Sequence, residues 1–444
     1  MKARDDSEKE SLQSLFGKFK TTSENTRSYV TAKTSSKASF LSALSDLGDV
    51  HTTGIDDHSG ATPETPSRSS WYNYLETRGM IPDPWNEMDW SGRGQHAEFE
   101  PYEEAAIPLQ VERVLGHTAS AIVESVMCRR IRLARKTVKC NRRLKREDAL
   151  NEVEHLQRLS HYHLIRVIGT YTLNKDLSIL LYPVAEYNLH TFMDFIAEHP
   201  GMNGEREADC LWTFFGCLSS AVWFLHDTLT KHMDIKPKNL LVKYINWGDI
   251  NWGDFILSAD YKIYIADFGI ARSYQSVQDV ETDSSTSFTR PYAAPEVVRQ
   301  ARRGLSADIF SLGCVFLEML STILLRKTKV PVPVHLQELR DSNSKNDSSY
   351  QANIPAVLDL WRRVRSEHSA ILDGLFTNIF TGFRPTAGNE PSGSKNIPFL
   401  DLLPQMLDED PVHRPLAEAL ANSTKHLRCG CCAHGPERLE CAKS

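Results

Sequence analysis

Three polar residues in the middle of the chain have the types and spacing that phosphoryl transfer requires. Asp234 and Asn239 stand five residues apart in the segment His-Met-Asp-Ile-Lys-Pro-Lys-Asn, and Asp267 follows in the tripeptide Asp-Phe-Gly. Asp234 is an acid that can accept the proton of an attacking hydroxyl. The amide of Asn239 and the second acid offer the hard oxygen ligands that Mg²⁺ prefers. Because this chemistry needs mostly positioning and charge neutralisation, the three residues predict it.

The order of these motifs resembles that of the eukaryotic protein kinase family. The segment containing Asp234 is followed by Asp-Phe-Gly and then by Ala-Pro-Glu at 294–296, as in that family. The resemblance implies an α+β fold of two lobes, with a small β-rich N-lobe and a larger helical C-lobe. It also implies transfer of the γ-phosphoryl group of Mg-ATP to a protein. Lys236, which would reach the γ-phosphate, and Thr289 resemble the Ser/Thr-specific members.

The same resemblance assigns a lysine and a glutamate to the N-lobe. Lys136 ends Leu-Ala-Arg-Lys, which is similar to the family's strand motif and would hold the α and β phosphates. Glu152 would pair with this lysine, and Glu154 is its rival. Glu152 precedes Leu156 by four residues and shares its helix face, which would point into the lobe. Glu154 lies about 200° away around the helix, so we expect it to be solvated.

Nine residues are expected to contact the nucleotide by the same resemblance. They are Gly116, Val123, Ala134, Lys136, Leu181, Tyr182, Val184, Asn239 and Asp267. Leu181 would guard the back of the adenine pocket. Asn239 and Asp267 would hold magnesium, while Asp234, Lys236, Lys136 and Glu152 would make up the catalytic set.

Supporting residues follow from the resemblance as well. Asp308 matches a buried helix aspartate that anchors the catalytic-loop backbone, and Glu296 with Arg414 matches a long-range buried ion pair. A buried stack joining the two lobes is expected of three side chains: Leu156, His232 and Phe268.

Two positions depart from the family pattern. The glycine-rich loop reads Gly116-His-Thr118-Ala-Ser-Ala121, so only its first glycine is present. Thr118 replaces a glycine that lets backbone amides approach phosphate. Met233 stands where most members have the arginine that reads an activation-segment phosphate. Methionine cannot do this, so we expect control to be exerted elsewhere.

Two other functions remain open at this stage. The altered glycine loop favours a kinase-like scaffold that binds partners with little catalysis, whereas the complete set of Lys136, Glu152, Asp234, Asn239 and Asp267 favours an enzyme. Phosphorylation of a small molecule is the third hypothesis. The segment 289–296 resembles a protein-substrate platform and disfavours it.

Composition divides the chain into four parts. Residues 1–70 contain 23 Ser and Thr residues and are expected to be disordered. Residues 71–106 hold three of the eight tryptophans and are expected to form an ordered extension packed on the kinase domain, with a free recognition motif as the alternative. Residues 107–428 are assigned to the kinase domain, with an N-lobe at about 107–182 and a C-lobe at about 187–428. Residues 429–444 form a Cys-containing tail.

The tail and one basic run leave further alternatives. Cys429, Cys431, Cys432, His434 and Cys441 do not have the spacing of a closed zinc site, so the default expectation is an unstructured tail, with lipidation as an alternative. The run 129–146 contains ten basic residues and no acidic ones. We expect mostly solvated faces there, with RNA or an acidic partner as the alternative.

Composition also bounds partners and location. The 57 acidic and 51 basic residues give a net charge of −6, so nucleic acid is an unexpected partner. The longest apolar run, 312–325, is interrupted by Glu318 and is too short to span a bilayer comfortably. Nine scattered cysteines are typical of reduced thiols. We expect an intracellular protein, cytoplasmic or nuclear, with Ser/Thr-containing protein substrates and a regulatory partner at residues 1–106.

Overall fold

The computed structural model describes residues 70–433, except 84, 118–119, 143, 200–201, 246–260, 275–288, 330, 344–345 and 370–397. Several sequence predictions therefore lie outside the described residues. They concern the 1–69 region, Thr118, the hydroxyl-rich segment 275–288, and the terminal His434 and Cys441.

The N-lobe is built on a six-stranded sheet with the strand order β1-β5-β6-β4-β3-β2. Its strands are β1 (His96–Phe99), β2 (Gln110–His117), β3 (Ala121–Cys128), β4 (Ile131–Val138), β5 (Arg166–Leu173) and β6 (Asp176–Tyr182). The strands β2, β3, β4, β6 and β5 pair in antiparallel fashion, whereas β1 pairs with β5 in parallel. The two-lobed α+β fold is therefore confirmed.

Helix α2 (Arg146–Arg158) packs on this sheet. Glu147 and Asp148 in its first turn suit the positive end of the helix dipole. Its stripe of Leu150, Val153 and Leu156 is buried in the core, as the periodicity predicts. The helix ends where Leu159 adopts an extended backbone. Glu152 is buried on the same face and is thus directed into the lobe.

The aromatic-rich extension adds to the N-lobe. Helix α1 (Ser70–Thr77) buries Trp71 and Leu75, Trp90 is 1% exposed, and β1 extends the sheet. Trp85 is the exception, with 97% of its surface exposed. Residue 107 stays the predicted start of the domain, and β1 of the extension pairs with β5 before that point. The extension has no motif of its own, and its strand is only four residues long.

The C-lobe is mainly helical. Its helices are α3 (Leu189–Glu198), α4 (Met202–Asp227), α5 (Pro295–Val298), α6 (Ser306–Thr328), α7 (Val332–Asp341), α8 (Ile354–Glu367), α9 (Pro398–Met406), α10 (Ala417–Ser423) and α11 (Gly430–Ala433). Its short strands are β7 (Tyr187–Asn188), β8 (Thr230–Lys231), β9 (Leu240–Tyr244), β10 (Tyr261–Ile265) and β11 (Arg272–Ser273). The strands β10, β9 and β7 form one small sheet, and β11 with β8 forms another.

Two C-lobe helices pass a test of length and apolar composition for crossing a membrane. The segments are Glu207–Asp227 and Ser306–Arg326, and the protein buries 83% and 89% of their apolar windows. The apolar side chains of α4, including Leu211, Phe215 and Leu218, are fully buried. Burial of this extent is what core helices of a folded lobe show.

The end of the described chain packs against α4. Gly216 allows this approach, since a Cβ there would lie 2.7 Å from backbone atoms of Thr424, Leu427 and Arg428. Helix α11 follows, and Cys432 is buried in the core. The expectation of an unstructured tail is therefore wrong for residues 429–433. The contact depends on a glycine more than two hundred residues away, which no local pattern reveals.

Candidate active site

The Lys136 ammonium lies between two carboxylates at the junction of the lobes. Its Nζ is 2.6 Å from Oε2 of Glu152 and 3.1 Å from Oδ1 of Asp267. Strand β4 supplies the lysine, α2 the glutamate, and the loop after β10 the aspartate. Glu154, the rival, pairs with Arg78 and Arg158 at 3.0 and 2.8 Å. The choice of Glu152 over Glu154 thus agrees with the side-chain contacts.

The electrostatics of this cluster favour the charged forms of Lys136 and Asp267, whereas burial raises the pKa of Glu152. Burial by itself lowers the pKa of Lys136, but the attraction of Glu152 and Asp267 outweighs burial and raises the pKa above its ordinary value. Burial raises the pKa of Asp267, yet the charge of Lys136 and its hydrogen bond outweigh that and lower it. The Asp267 side chain is 47% exposed, so one end of the cluster is open to solvent.

Asp234, Lys236 and Asn239 form a second group in the loop between β8 and β9. Lys236 Nζ donates to Oδ2 of Asp234 and to Oγ1 of Thr289, both at 2.7 Å. Asn239 Nδ2 donates to the carbonyl oxygen and to Oδ2 of Asp234, both at 2.9 Å. Among the residues that the structure describes, Oδ1 of Asp234 is buried and has no hydrogen-bond partner. One acceptor of this carboxylate is therefore left for another molecule.

The loop is held in a strained shape by Asp308. Met233, just before Asp234, has a φ of 67°, and Asp267 has a φ of 64°, both in the left-handed region that costs a side chain energy. Asp308 accepts the backbone N–H groups of His232 and Met233 at 2.8 Å each. Burial raises the pKa of Asp308, but hydrogen bonding and charge from His226 outweigh it and lower the pKa. An ionised Asp308 therefore fixes the backbone that presents Asp234.

Other supporting contacts agree with the sequence predictions. Arg414 donates to both carboxylate oxygens of Glu296 at 2.7 and 2.8 Å, and its side chain is fully buried. The rings of His232 and Phe268 meet edge to face at 4.7 Å, and both are buried, as is Leu156. These contacts join the catalytic loop to the core of each lobe.

Strand register brings the expected nucleotide-binding residues to one face of the N-lobe sheet. Gly116 lies opposite Val123, and Val123 lies opposite Lys136. Ala134 lies opposite Leu181 and is two residues from Lys136. Since opposite residues and residues two apart share a face, all five side-chain positions lie together. At the end of β6, Tyr182 is half-buried, and Val184, two residues further on, is buried.

Part of the basic run 129–146 is paired within the protein. Arg132 pairs with Glu112 at 2.6 Å, and Arg135 pairs with Glu124 at 2.7 Å. Arg146 lies over the ring of Trp71 in the extension, 5.6 Å from its centre. These three side chains therefore already have contacts inside the protein.

A family comparison agrees with this arrangement. Residues 109–424 match the family model described as protein kinase domain, so the chain belongs to the protein kinase family. The match begins after the aromatic-rich extension and ends before the cysteines of α11.

Individual relatives are more distant. The chain is similar to cyclin-dependent kinase E-1 of Arabidopsis thaliana, with 29% identity over 39% of this chain and 34% of the relative. It is similar to the serine/threonine-protein kinase crk1 of Schizosaccharomyces pombe, with 24% identity over 61% of this chain and 69% of the relative. Calcium/calmodulin-dependent protein kinase type 1 of Caenorhabditis elegans is 29% identical over 38% and 42%. The chain thus spans less than half the length of the plant and nematode relatives that it matches.

Proposed function

We propose that this protein kinase family member is an active serine/threonine kinase that transfers the γ-phosphoryl group of Mg-ATP to protein hydroxyls. The observation that carries the proposal is the cluster of Lys136, Glu152 and Asp267 beside an Asp234 whose Oδ1 is unpaired among the described residues. A protein that kept the fold only as a scaffold would have no use for this complete charged set. The name of one similar protein, the serine/threonine-protein kinase crk1, supports the Ser/Thr assignment.

Each residue has a separate task in this proposal. Lys136, held by Glu152, binds phosphate oxygens and orients the triphosphate. Asp234 orients the acceptor hydroxyl and takes its proton at the free Oδ1. Lys236, which touches both Asp234 and Thr289 at 2.7 Å, places a positive charge beside the position where the phosphoryl group is transferred. Preorganised charge of this kind is where most of the rate gain of such enzymes comes from.

The donor set fits magnesium. Both hydrogen bonds that Asn239 Nδ2 donates go to Asp234, which leaves the amide oxygen available as a ligand. Asp267 is a partly exposed carboxylate with a lowered pKa, so it is ionised at neutral pH. When bound, Mg²⁺ neutralises charge on the phosphates. Asn239 and Asp267 would hold it through oxygen, as that ion requires.

The direct test is transfer of radiolabelled γ-phosphate to generic protein substrates, followed by phosphoamino-acid analysis. We expect label on serine and threonine, and at least about a hundredfold less transfer by Asp234→Asn, since positioned acid–base groups contribute about 10²–10⁴ in rate. Label that appears equally with Asp234→Asn would mean a contaminating kinase. Label on tyrosine or on a small molecule alone would contradict the proposed specificity.

A binding experiment separates the enzyme from a nucleotide-independent scaffold. ATP at a hundred times its Kd should stabilise the fold by about 2.7 kcal/mol, and only when magnesium is present. Asp267→Ala should remove most of the shift in Tm. Asp341→Ala, on the exposed end of α7, serves as a control. An equal shift in EDTA would contradict the role given to Asn239 and Asp267.

Substrate, partner and location remain proposals of the same kind. We propose Ser/Thr-containing protein substrates and an intracellular, reducing location. All the cysteines that the structure describes are free thiols. We also propose that any regulator acting through residues 1–106 works on α2, because the described part of this region already contacts that helix through Arg78 and Glu154.

A further inference from the structure

Four sulfur and nitrogen donors from distant parts of the chain converge in the interior. His163 precedes β5, Cys217 lies in the middle of α4, and Cys429 and Cys432 flank the start of α11. Their ligand atoms all lie within 4.8 Å of one another. We propose that these four residues form a structural zinc site, which we call the Cys₃His site.

Three of the six distances between the four ligand atoms match those of a tetrahedral zinc site. Sγ of Cys432 lies 3.7 Å from Sγ of Cys217 and 3.7 Å from Sγ of Cys429, and Sγ of Cys429 lies 3.3 Å from Nε2 of His163. Zinc with bonds of about 2.3 Å to sulfur and about 2.0 Å to nitrogen separates its ligands by about 3.8 Å and 3.5 Å in tetrahedral geometry. A disulfide would instead require sulfur atoms about 2.05 Å apart.

His163 is oriented as metal-binding histidines are. Its Nδ1 lies 2.7 Å from the carbonyl oxygen of Ile263, to which it donates. The other ring nitrogen, Nε2, therefore carries the lone pair and faces the thiol of Cys429. A backbone carbonyl that fixes the tautomer in this way is a common outer-shell partner of zinc ligands. The ring is completely buried, so it has no role in binding solvent.

The surrounding chain is shaped to bring the donors together. Gly216, next to Cys217, has no Cβ and therefore lets the backbone of residues 424–428 approach α4. The N–H of Cys429 then points to Sγ of Cys217 at 3.4 Å. Cys429 and Cys432 have the Cys-x-x-Cys spacing that supplies two of the ligands in many structural zinc sites.

The donor chemistry favours zinc over other common cations. Three thiolates and one imidazole form a soft set, which calcium and magnesium do not choose. Zinc and three thiolates together carry one negative charge. Half-buried Lys262 interacts electrostatically with Cys429 and Cys431 and would offset it. All four donors come from the protein, so the site is closed, as structural zinc sites are.

The Cys₃His site would join three parts of the chain: the loop before β5, helix α4 and the start of α11. His163 lies five residues beyond the end of α2, the helix that carries Glu152. Its carbonyl oxygen accepts the N–H of Ile265 at 2.8 Å, two residues before Asp267. Zinc would therefore fasten residues 429–432 to the junction between α2 and the Asp-Phe-Gly segment.

The test is the zinc content of the full chain, purified under reducing conditions without added chelator and measured by mass spectrometry. We expect about one zinc per chain, with Cys429→Ser, Cys432→Ser and His163→Gln each retaining less than about a fifth of it. Cys431→Ser is the matched control, since Cys431 lies between two proposed ligands but outside the group of four. It should retain zinc. Loss of zinc in this control would overturn the ligand assignment.

Measurements on the unaltered chain keep the test decisive if a variant fails to fold. Cobalt should replace zinc and give the visible bands of tetrahedral cobalt together with a thiolate charge-transfer band. Removal with 1,10-phenanthroline should lower Tm by at least about 5 °C, reversibly on adding zinc. Less than about a tenth of a zinc per chain, with no cobalt–thiolate band, would overturn the proposal. A disulfide between Cys429 and Cys432 in the reduced preparation would also overturn it. None of these readouts depends on kinase activity.

Discussion

The two ends of the described chain contact neighbouring segments, α2 and the loop that follows it, by different chemistry. Both the extension, residues 71–106, and the C-terminal segment, residues 425–433, lie outside the part that matches the family model. The extension contacts α2 through apolar packing, through the pair of Arg78 with Glu154, and through Gln157, which donates to the carbonyl oxygen of Met80. The C-terminal segment contacts His163, six residues beyond Gln157, through cysteines.

The attachments of the two segments should therefore respond to different conditions. The extension adds a strand and buries His96 between Thr170 and Gln157, at 2.8 Å from each, so its attachment should respond to acid. The C-terminal segment gathers thiols, so its attachment should respond to metal and oxidant. The extension contacts α2, whose Glu152 holds Lys136 at 2.6 Å, and the C-terminal segment contacts His163 in the loop that follows α2. We therefore expect both segments to affect the position of α2.

The largest expected effect is at Glu152, on the helix that the extension contacts. Glu152→Gln should lower kcat/KM about a hundredfold, or about 2.7 kcal/mol, because Lys136 loses the partner that positions it. Glu154, two residues on, pairs with Arg78 and Arg158 and not with Lys136. The kcat/KM of Glu154→Gln should therefore stay within about twofold of the natural value. Steady-state kinetics on both variants decide the matter. Equal losses would mean that the helix, and not the Lys136–Glu152 pair, sets the rate.

Acid should weaken the N-terminal support. Burial lowers the pKa of His96 from its ordinary 6.5 to about 4, so the unfolded chain binds a proton between these values and the folded chain does not. Stability from a neutral His96 is therefore complete above pH 6.5 and falls as the pH drops toward 4, by at most roughly 3 kcal/mol. Urea unfolding at pH 7 and 4.5 measures the fall.

The control for this prediction replaces His96 and His190 in separate variants. His96→Gln should be less stable than the natural chain at pH 7 and should lose less on acidification. His190→Gln, whose side chain is half exposed, should keep the natural slope. If His96→Gln kept the full dependence on pH, the acid sensitivity would belong to another group.

Two glycines test the two ends in parallel. A Cβ at Gly169 would lie 2.3 Å from the carbonyl oxygen of Gln95 and 2.4 Å from Trp90 Nε1, and one at Gly216 would lie 2.7 Å from three backbone atoms. Gly169→Ala and Gly216→Ala should each cost about 1–3 kcal/mol of unfolding free energy. Gly430→Ala, which has open space around it, should stay within about 0.5 kcal/mol.

The same pair distinguishes the chemistry of the two ends. Gly216→Ala should also reduce zinc content, because it displaces Cys429 from Cys217, whereas Gly169→Ala should leave it unchanged. Limited proteolysis should cut near residues 70–99 first in Gly169→Ala and near residues 425–433 first in Gly216→Ala. The same first cut in both variants would show that the two ends detach together and would remove the distinction.

The smallest expected effect is at the surface of the N-terminal contact. Arg78 and Glu154 pair at 3.0 Å, with 31% and 21% of their side chains exposed. Solvent screens such a pair, so Arg78→Ala should cost less than about 1 kcal/mol. Thermal unfolding beside Arg158→Ala, the other partner of Glu154, checks this. A loss above about 2 kcal/mol would mean that the ion pair, and not apolar burial, attaches the extension.

Sequence alone predicted the fold and the charged cluster for a physical reason. Helix periodicity is local: Leu150, Val153 and Leu156 recur at the spacing that places them on one buried face of α2. Lys136, Glu152, Asp234, Asn239 and Asp267 sit in short segments whose backbone shape recurs wherever the motif occurs. The choice of Glu152 needed only the rule that residues four apart share a helix face. The expectations for Thr118 and for the segment 275–288 concern residues outside the described part of the chain and stay predictions.

The sequence by itself determined the identity and order of the groups that can do chemistry, because these follow from residue types and local spacing. Only the tertiary structure decided that β1 joins the sheet and that His163 and Cys217 meet Cys429 and Cys432. Those contacts join residues as far as 266 positions apart. They depend on close backbone approach at Gly169 and Gly216. A glycine permits such an approach, but its presence in the sequence does not predict one.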